Sequence, residues 1–168
     1  MKKIALLSDN HSWPADELWP YLEGIDEVWH AGDMGSFESI DPLIKAFGFR
    51  GVYGNVDNAQ LRAEFGENNI FEIEGVKVVM THIGGYPGRY KSRVKDLLEV
   101  EKPDLYICGH SHILKVVRDN KLDLLHMNPG AYGHHGFHKV RTFLRFTIDG
   151  VSIKDLNVVE LGLRGRSL

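Results

Sequence analysis

Short apolar runs alternate with helix-spaced segments along the first third of the chain. Ile4-Ala5-Leu6-Leu7 is a continuous apolar run of strand length, and residues 28–31 and 51–53 read the same way. Between these runs, residues 14–23 and 37–47 read as helices. In the second, Phe37, Ile40, Leu43, Ile44 and Phe47 recur at helical spacing, Ser36 stands where a cap is needed, and Gly48 follows the end. In the first, Ser12 is the cap candidate, and Pro14 falls in the opening turn, where a missing N–H costs little. A βαβαβ order of this kind predicts parallel strands with helices packed on the sheet.

The pattern changes in the remainder. Residues 70–73 and 76–80 flank Glu74-Gly75, residues 115–118 and 123–126 flank Asp119-Asn120-Lys121, and residues 141–148 and 151–156 flank Asp149-Gly150. Each is a hairpin signal. A helix over 90–100 and a strand over 105–108 separate the first two hairpins. Parallel units followed by hairpins predict two packed sheets with helices outside, in one domain spanning 1–168, with no internal repeat or linker. Residues 161–168, rich in Gly, Arg and Ser, are expected to be loosely ordered.

Composition narrows this picture. The chain has 168 residues, 43% hydrophobic and 26% charged, which suffices for its own core. A net charge of -3 provides no basic field for a nucleic-acid backbone, so stable nucleic-acid binding is not expected. A small phosphoester substrate stays compatible, because bound metal would supply positive charge locally. The single cysteine, Cys108, has no intramolecular disulfide partner and lies in an apolar run, so it reads as a core residue. The apolar start before Ser8 is too short for a signal peptide, and no run is long enough to span a membrane. A soluble cytoplasmic protein is the expectation, with a homo-oligomer left open.

Ligand-type residues follow directly on the apolar runs. Residues 4–7 lead to Ser8-Asp9-Asn10-His11, 28–31 to Gly32-Asp33, and 52–53 to Gly54-Asn55-Val56-Asp57. Residues 76–80 lead to Thr81-His82, and 105–108 to Gly109-His110-Ser111-His112. If the strands are neighbours with aligned ends, all five clusters meet beyond their carboxyl ends. Each alone has an ordinary reading: Asp9 as a turn cap, Asp33 and Asn55 as turn residues, His82 as a core histidine. His110 and His112, two apart, would put both rings on one side of an extended segment. Together, the two aspartates, one asparagine and four histidines offer only nitrogen and oxygen donors. That set suits Mn²⁺, Fe, Zn²⁺, Ni²⁺ or Mg²⁺ rather than a closed cysteine-rich zinc site.

The series Asp9-x-His11, Gly32-Asp33, Gly54-Asn55, His82 and Gly109-His110-Ser111-His112 resembles, in order, the calcineurin-like metallophosphoesterase family. Chain length, the form of the third motif and Asn128-Pro129-Gly130 are similar to its small microbial phosphodiesterase branch. The resemblance implies an α/β fold, a four-layer α/β/β/α sandwich of two mixed sheets flanked by helices. It implies a binuclear-metal-dependent phosphoesterase, a phosphodiesterase ahead of a phosphomonoesterase, that hydrolyses by a metal-bridging hydroxide. Two divalent ions are implied, Mn²⁺ first. Asp9, His11 and His112 would hold one ion, Asn55, His82 and His110 the other, with Asp33 bridging them, and all seven would act in catalysis through the metals.

Two departures from the family pattern stand out. Many relatives carry a histidine after the Gly-Asn pair that helps the leaving group depart; here Val56 stands there, followed by Asp57. Preference for good leaving groups follows, and Asp57 is expected either to hydrogen-bond a ligand histidine or to cap a turn. After His82, where relatives have Gly-His, the chain reads Ile83-Gly84-Gly85-Tyr86-Pro87-Gly88-Arg89. In this loop Arg89 and Tyr86 are candidates to reach a substrate phosphate, as are Asn10 and Trp13 to line the pocket. His134, His135 and His138 read as a solvated loop near the site mouth, and His30 and His126 as core or sheet-face residues. Two rival readings are a non-catalytic scaffold for protein interactions, as in the similar retromer subunit, and a non-hydrolytic metal binder.

Overall fold

The computed structural model describes residues 1–165. Ten strands form two five-stranded sheets. In the first, β1 (Lys2–Leu7), β2 (Glu27–His30) and β3 (Gly48–Gly51) run parallel. The long hairpin of β9 (Val140–Asp149) and β10 (Ser152–Leu163) adds antiparallel to the free side of β1. The second sheet has the order β4-β5-β6-β8-β7, built from β4 (Asn68–Ile73), β5 (Val76–Thr81), β6 (Leu105–Ile107), β7 (Lys115–Asp119) and β8 (Leu124–Asn128). There β5, β6 and β8 are parallel, and β4 and β7 close the edges antiparallel.

Period-two patterning explains the layers. Ile4 and Leu6 of β1, Val76, Val78 and Met80 of β5, and Leu144, Phe146 and Ile148 of β9 point into one core between the sheets. Trp29 joins the two sheets, its ring lying 5.0 Å from Phe71 and 5.7 Å from Phe146. The alternate residues Ala5, Leu7, Val28 and Phe143 face outward, against a 3-10 helix over Asp16–Tyr21 and α1 (Asp41–Ala46). On the other flank Val79, Tyr106, Cys108 and Leu124 pack with Val94 and Leu98 of α3 (Ser92–Glu101). Strands buried on both faces read as unbroken apolar runs, which is why β1 and β6 are legible in sequence. The four-layer sandwich of two mixed sheets matches the expectation, and Cys108 is fully buried as anticipated. No helix of the described residues is long and apolar enough to cross a membrane.

Several boundaries differ for local reasons. The segment read as a helix over 14–23 is a single 3-10 helix that contains Pro20, whose missing N–H cannot extend an α-helical ladder. The helix read over 37–47 begins only at Asp41, after a turn in which the N–H groups of Ile40 and Asp41 both donate to the Phe37 carbonyl. Ser36 does not cap it through its side chain; its carbonyl instead accepts the Ser39 hydroxyl at 2.7 Å. Gly48 is therefore the first residue of β3, opposite Glu27, rather than a helix stop. A further helix, α2 (Ala59–Glu64), went unread because Leu61 is its one buried residue and leaves no apolar stripe. Asn58 caps it by accepting the Leu61 N–H at 3.1 Å. At the other end β10 continues to Leu163, with register shifts after Lys154 and Glu160, so part of the segment expected to be loose is paired strand. The rest of that expectation, residues 166–168, lies outside the described residues.

Candidate metal centre

The parallel strands of both sheets deliver their carboxyl ends to one rim. Leu7, His30 and Gly51 are the last residues of β1, β2 and β3, and each is followed within four residues by an acid or amide: Asp9, Asp33 and Asn55. From the other sheet β5 ends at Thr81 before His82, and β6 ends at Ile107 before Gly109 and His110. The rims are stitched together across the sheets. His82 Nδ1 lies 2.7 Å from the Ala31 carbonyl, and the His110 N–H donates to Asp9 Oδ2 at 3.1 Å.

Two groups of side chains with metal-ligand spacing result. Asp9, His11 and His112 form one, and Asp33, His82 and His110 the other, with donor atoms inside each lying within 4.8 Å of one another. They share a boundary. Asp33 Oδ2 stands 3.2 Å from His82 Nε2 and 3.6 Å from His11 Nε2, while Asp9 Oδ1 is 3.1 Å from His112 Nε2 and 3.9 Å from His82 Nε2. Asn55 Oδ1 lies 3.0 Å from His110 Nδ1. The structure thus brings together all seven residues read from sequence. It does not place His110 and His112 on one side of an extended segment. Both have left-handed backbone, φ 69° and 60°, and their rings diverge into different groups.

The donors fit divalent cations. Asp9 Oδ1, His11 Nε2 and His82 Nε2 are buried with no hydrogen-bond partner. Each such orphan costs about 1–3 kcal/mol. Orphaned polar atoms a few ångströms apart, divided between the two groups, are what bonds of about 2 Å to bound cations would satisfy. Five of the seven residues — Asp9, His11, Asp33, His110 and His112 — have positive φ, a strained backbone that the surrounding fold must hold in place. Gly54 has to be glycine for a related reason: a Cβ there would collide with Asp33 Oδ1.

Charge and hydrogen bonds orient the carboxylates. Burial alone would raise the Asp33 carboxyl, but His82, the Val56 N–H and His11 overcome it and hold it at about 2. The Val56 N–H donates to Asp33 Oδ1 at 3.0 Å, which leaves Oδ2 for the centre. Asp9 Oδ2 takes the Ser8 hydroxyl at 2.5 Å and the His110 N–H, which leaves Oδ1. Burial lowers the His82 imidazolium, but Asp33 and Asp9 outweigh it and raise the net value.

Asp57 does not bond a histidine, contrary to one of its two readings. Its carboxylate accepts the backbone N–H groups of Gly54 at 2.7 Å, Gly35 at 2.8 Å and Asp33 at 3.1 Å. It cross-braces the β2 and β3 rims through the main chain, in the turn-binding role. The substrate role of Asn10 is also corrected. Asn10 is fully buried, and its amide is spent on the Trp13 carbonyl, the Ser39 hydroxyl and His30 Nε2. Trp13 donates to Glu17 and packs edge-on to His134. Arg89 is exposed on a turn whose N–H donates to the Tyr86 carbonyl, and Tyr86, not Arg89, lines the cavity next to His110.

His138 is the residue that sequence reasoning missed. Its Nε2 lies 2.9 Å from the Gly133 carbonyl, and its Nδ1 lies 3.2 Å from His112 Nδ1. A carbonyl only accepts, so His138 Nε2 carries the proton and its Nδ1 is an acceptor. His112 Nδ1 must then donate, and His112 Nε2 presents a lone pair toward Asp9. Its loop neighbours differ: the His135 ring lies 4.5 Å from that of His11, and His134 Nδ1 accepts the Gly165 N–H.

His30 and His126 are buried, as expected. Burial pushes the His30 imidazole down to about 3, and burial, aided by Lys115, pushes His126 down to about 4. Below the ordinary value of 6.5 the unfolded chain takes up a proton on such a ring before the folded one does, so stability falls as pH falls from 6.5 toward 4. Near pH 5 the loss is about 2 kcal/mol per ring. Metal-free His126→Gln is thus expected to lose about 2 kcal/mol less than wild type between neutral pH and pH 5, read by urea denaturation. Equal losses would contradict this.

The description of the calcineurin-like phosphoesterase superfamily domain matches residues 1–150. The chain belongs to this superfamily. Its members use divalent metals, and the two candidate triads lie within the matched residues. A probable metallophosphoesterase from Methanothermobacter thermautotrophicus is 26% identical over 133 residues, covering 76% of each chain. Among solved structures, an archaeal phosphodiesterase superposes with a TM-score of 0.72 at 21% identity, covering 94% of this chain and 99% of that one. Entamoeba histolytica Vps29 complexed with Zn²⁺ has a TM-score of 0.72 at 19% identity, covering 94% and 98%. At these identities the structural likeness establishes the shared fold.

Proposed function

We propose that this chain is a cytoplasmic phosphodiesterase that works with two divalent ions. Asp9, His11 and His112 hold one ion, Asn55, His82 and His110 the other, with Asp33 between them. The observation that carries the reading is that buried, unpartnered His11 Nε2 and His82 Nε2, from two different triads, each stand 3.9 Å from the equally unpartnered Asp9 Oδ1. Bound divalent ions would supply Lewis acidity, polarising a phosphoryl oxygen and making water a nucleophile near neutral pH. Mn²⁺ is the proposed ion; the Zn²⁺ complex of Vps29 supports divalent occupancy on this fold.

The protein's own part is positional. Ser8 and the His110 N–H turn Asp9 so that one oxygen faces the centre, and the Val56 N–H does the same for Asp33. Asn55 adds a neutral oxygen donor, which leaves the positive charge of the centre available to a phosphate. The Val56 side chain is 47% exposed at this rim and has no proton to give a departing alkoxide.

The test is reconstitution with Mn²⁺, metal analysis, and assay on bis-p-nitrophenyl phosphate against p-nitrophenyl phosphate. The expected result is about two ions per chain and faster diester cleavage. Across a series of diesters, rates should fall steeply as the leaving group becomes more basic, and Val56→His should flatten that slope. A slope already flat in the wild type would show that another group donates the proton. The likeness to Vps29 supports a second reading, a scaffold for protein partners. A metal-loaded protein inert toward both esters would favour it.

A further inference from the structure

A cavity of about 410 Å³ opens beside His110, and nothing in the proposed hydrolysis uses it. Its size falls within the usual range for small-ligand sites. Ile83, Tyr86 and Ile113 give it an apolar and aromatic wall, and Lys91 and Lys115 bring two ammonium groups. Lys115 Nζ stands 4.7 Å from the centre of the Tyr86 ring. No aspartate or glutamate lines the cavity among the described residues. The lysine ion pairs of the described residues use Lys45, Lys77, Lys95 and Lys154, so Lys91 and Lys115 face the cavity without a carboxylate partner.

The contrast with the opposite flank is informative. A smaller cavity of about 210 Å³ beside Asn55 and His82 contains Arg62 and Arg93. Their guanidinium groups are already engaged, Arg62 with the carbonyls of Asp57, Gly54 and Asn55, and Arg93 with Asn68 and Glu67. In a chain of net charge -3, two cations without a carboxylate partner in a concave, carboxylate-free site beside the centre select an anion.

We propose that this cavity binds a second phosphate group carried by the substrate, so that the preferred diester is a small phosphorylated one of nucleotide type. The ring of the nucleotide lies against Tyr86, and its non-reacting phosphate lies between Lys91 and Lys115. This rests on the phosphodiesterase reading above, which supplies the scissile ester.

The test compares 5′-phosphorylated adenylyl-adenosine with the same dinucleotide lacking that phosphate, using Mn²⁺-loaded protein. The expected kcat/KM ratio favours the phosphorylated compound by about tenfold to a hundredfold, as charge-assisted contacts to one phosphate would give. In the double variant Lys91→Met/Lys115→Met the ratio should fall to near one. Both compounds depend on the same metals, so a poorly folded or metal-poor variant slows both and leaves the ratio meaningful. A wild-type ratio near one, or a ratio the double variant leaves unchanged, overturns the cavity assignment while the phosphodiesterase reading stands. Cleavage of neither dinucleotide, whose leaving alkoxide is strongly basic, passes that reading to bis-p-nitrophenyl phosphate, and inertness toward that ester as well overturns it. With neither dinucleotide cleaved, calorimetric binding of the same two compounds decides the cavity: tenfold tighter binding of the phosphorylated one supports it, and equal or absent binding overturns it.

Discussion

Asp33→Asn is expected to lower phosphodiester hydrolysis on the order of 10³-fold or more and to reduce bound metal from about two ions per chain to one or fewer. The substitution is nearly isosteric, so the argument turns on which atom faces the centre. The Val56 N–H donates to Oδ1, 3.0 Å away, and an asparagine would keep its carbonyl oxygen there. Its amide nitrogen would then replace Oδ2, the atom 3.2 Å from His82 Nε2 and 3.6 Å from His11 Nε2. An amide N–H₂ is a donor with no lone pair for a cation, and the negative charge between two positive ions would be gone. The fold should survive, because the Val56 and Asp57 braces remain. Metal analysis of purified protein, with near-wild-type melting of the metal-free form, separates loss of the centre from loss of the fold. Wild-type turnover after this change would refute the assignment of Asp33.

His138→Phe is expected to weaken metal binding by about tenfold to a hundredfold. Phenylalanine keeps the ring volume but cannot accept the His112 Nδ1 proton, so His112 is no longer held with Nε2 toward Asp9. His138→Gln should restore most of the affinity, since its amide N–H₂ can donate to the Gly133 carbonyl while its oxygen accepts from His112. Calorimetric titration of metal into the apo protein reads this without any assay of turnover. If His138 served packing alone, phenylalanine would be the milder change. That order of effects would count against a positioning role.

The legibility of this protein in its sequence follows the range of each interaction. The strands of the two central sheets were visible because burial on both faces makes β1, β5 and β6 into apolar runs. The 3-10 helix and α2 were misread or missed because Pro20 interrupts one and a single buried leucine leaves the other without a pattern. Asn10 looked like a pocket residue because it adjoins the first motif, yet its amide is consumed by partners up to 29 positions away.

By itself the sequence determined which residues are brought to the rim: the nitrogen and oxygen donors sit directly after strand-forming runs, and a strand end is a local property. The family resemblance also implied how they group, but only the tertiary structure decided what holds the groups in place. His110 meets Asp9 across 101 positions, where two sheets abut. Left-handed backbone at His110 and His112 sends neighbouring rings to different triads. His138, in a loop with no readable pattern, sets the proton on His112. The seven residues that converge were named by local chemistry, whereas their orientation depends on backbone strain and cross-sheet hydrogen bonds that form when the sheets close on each other.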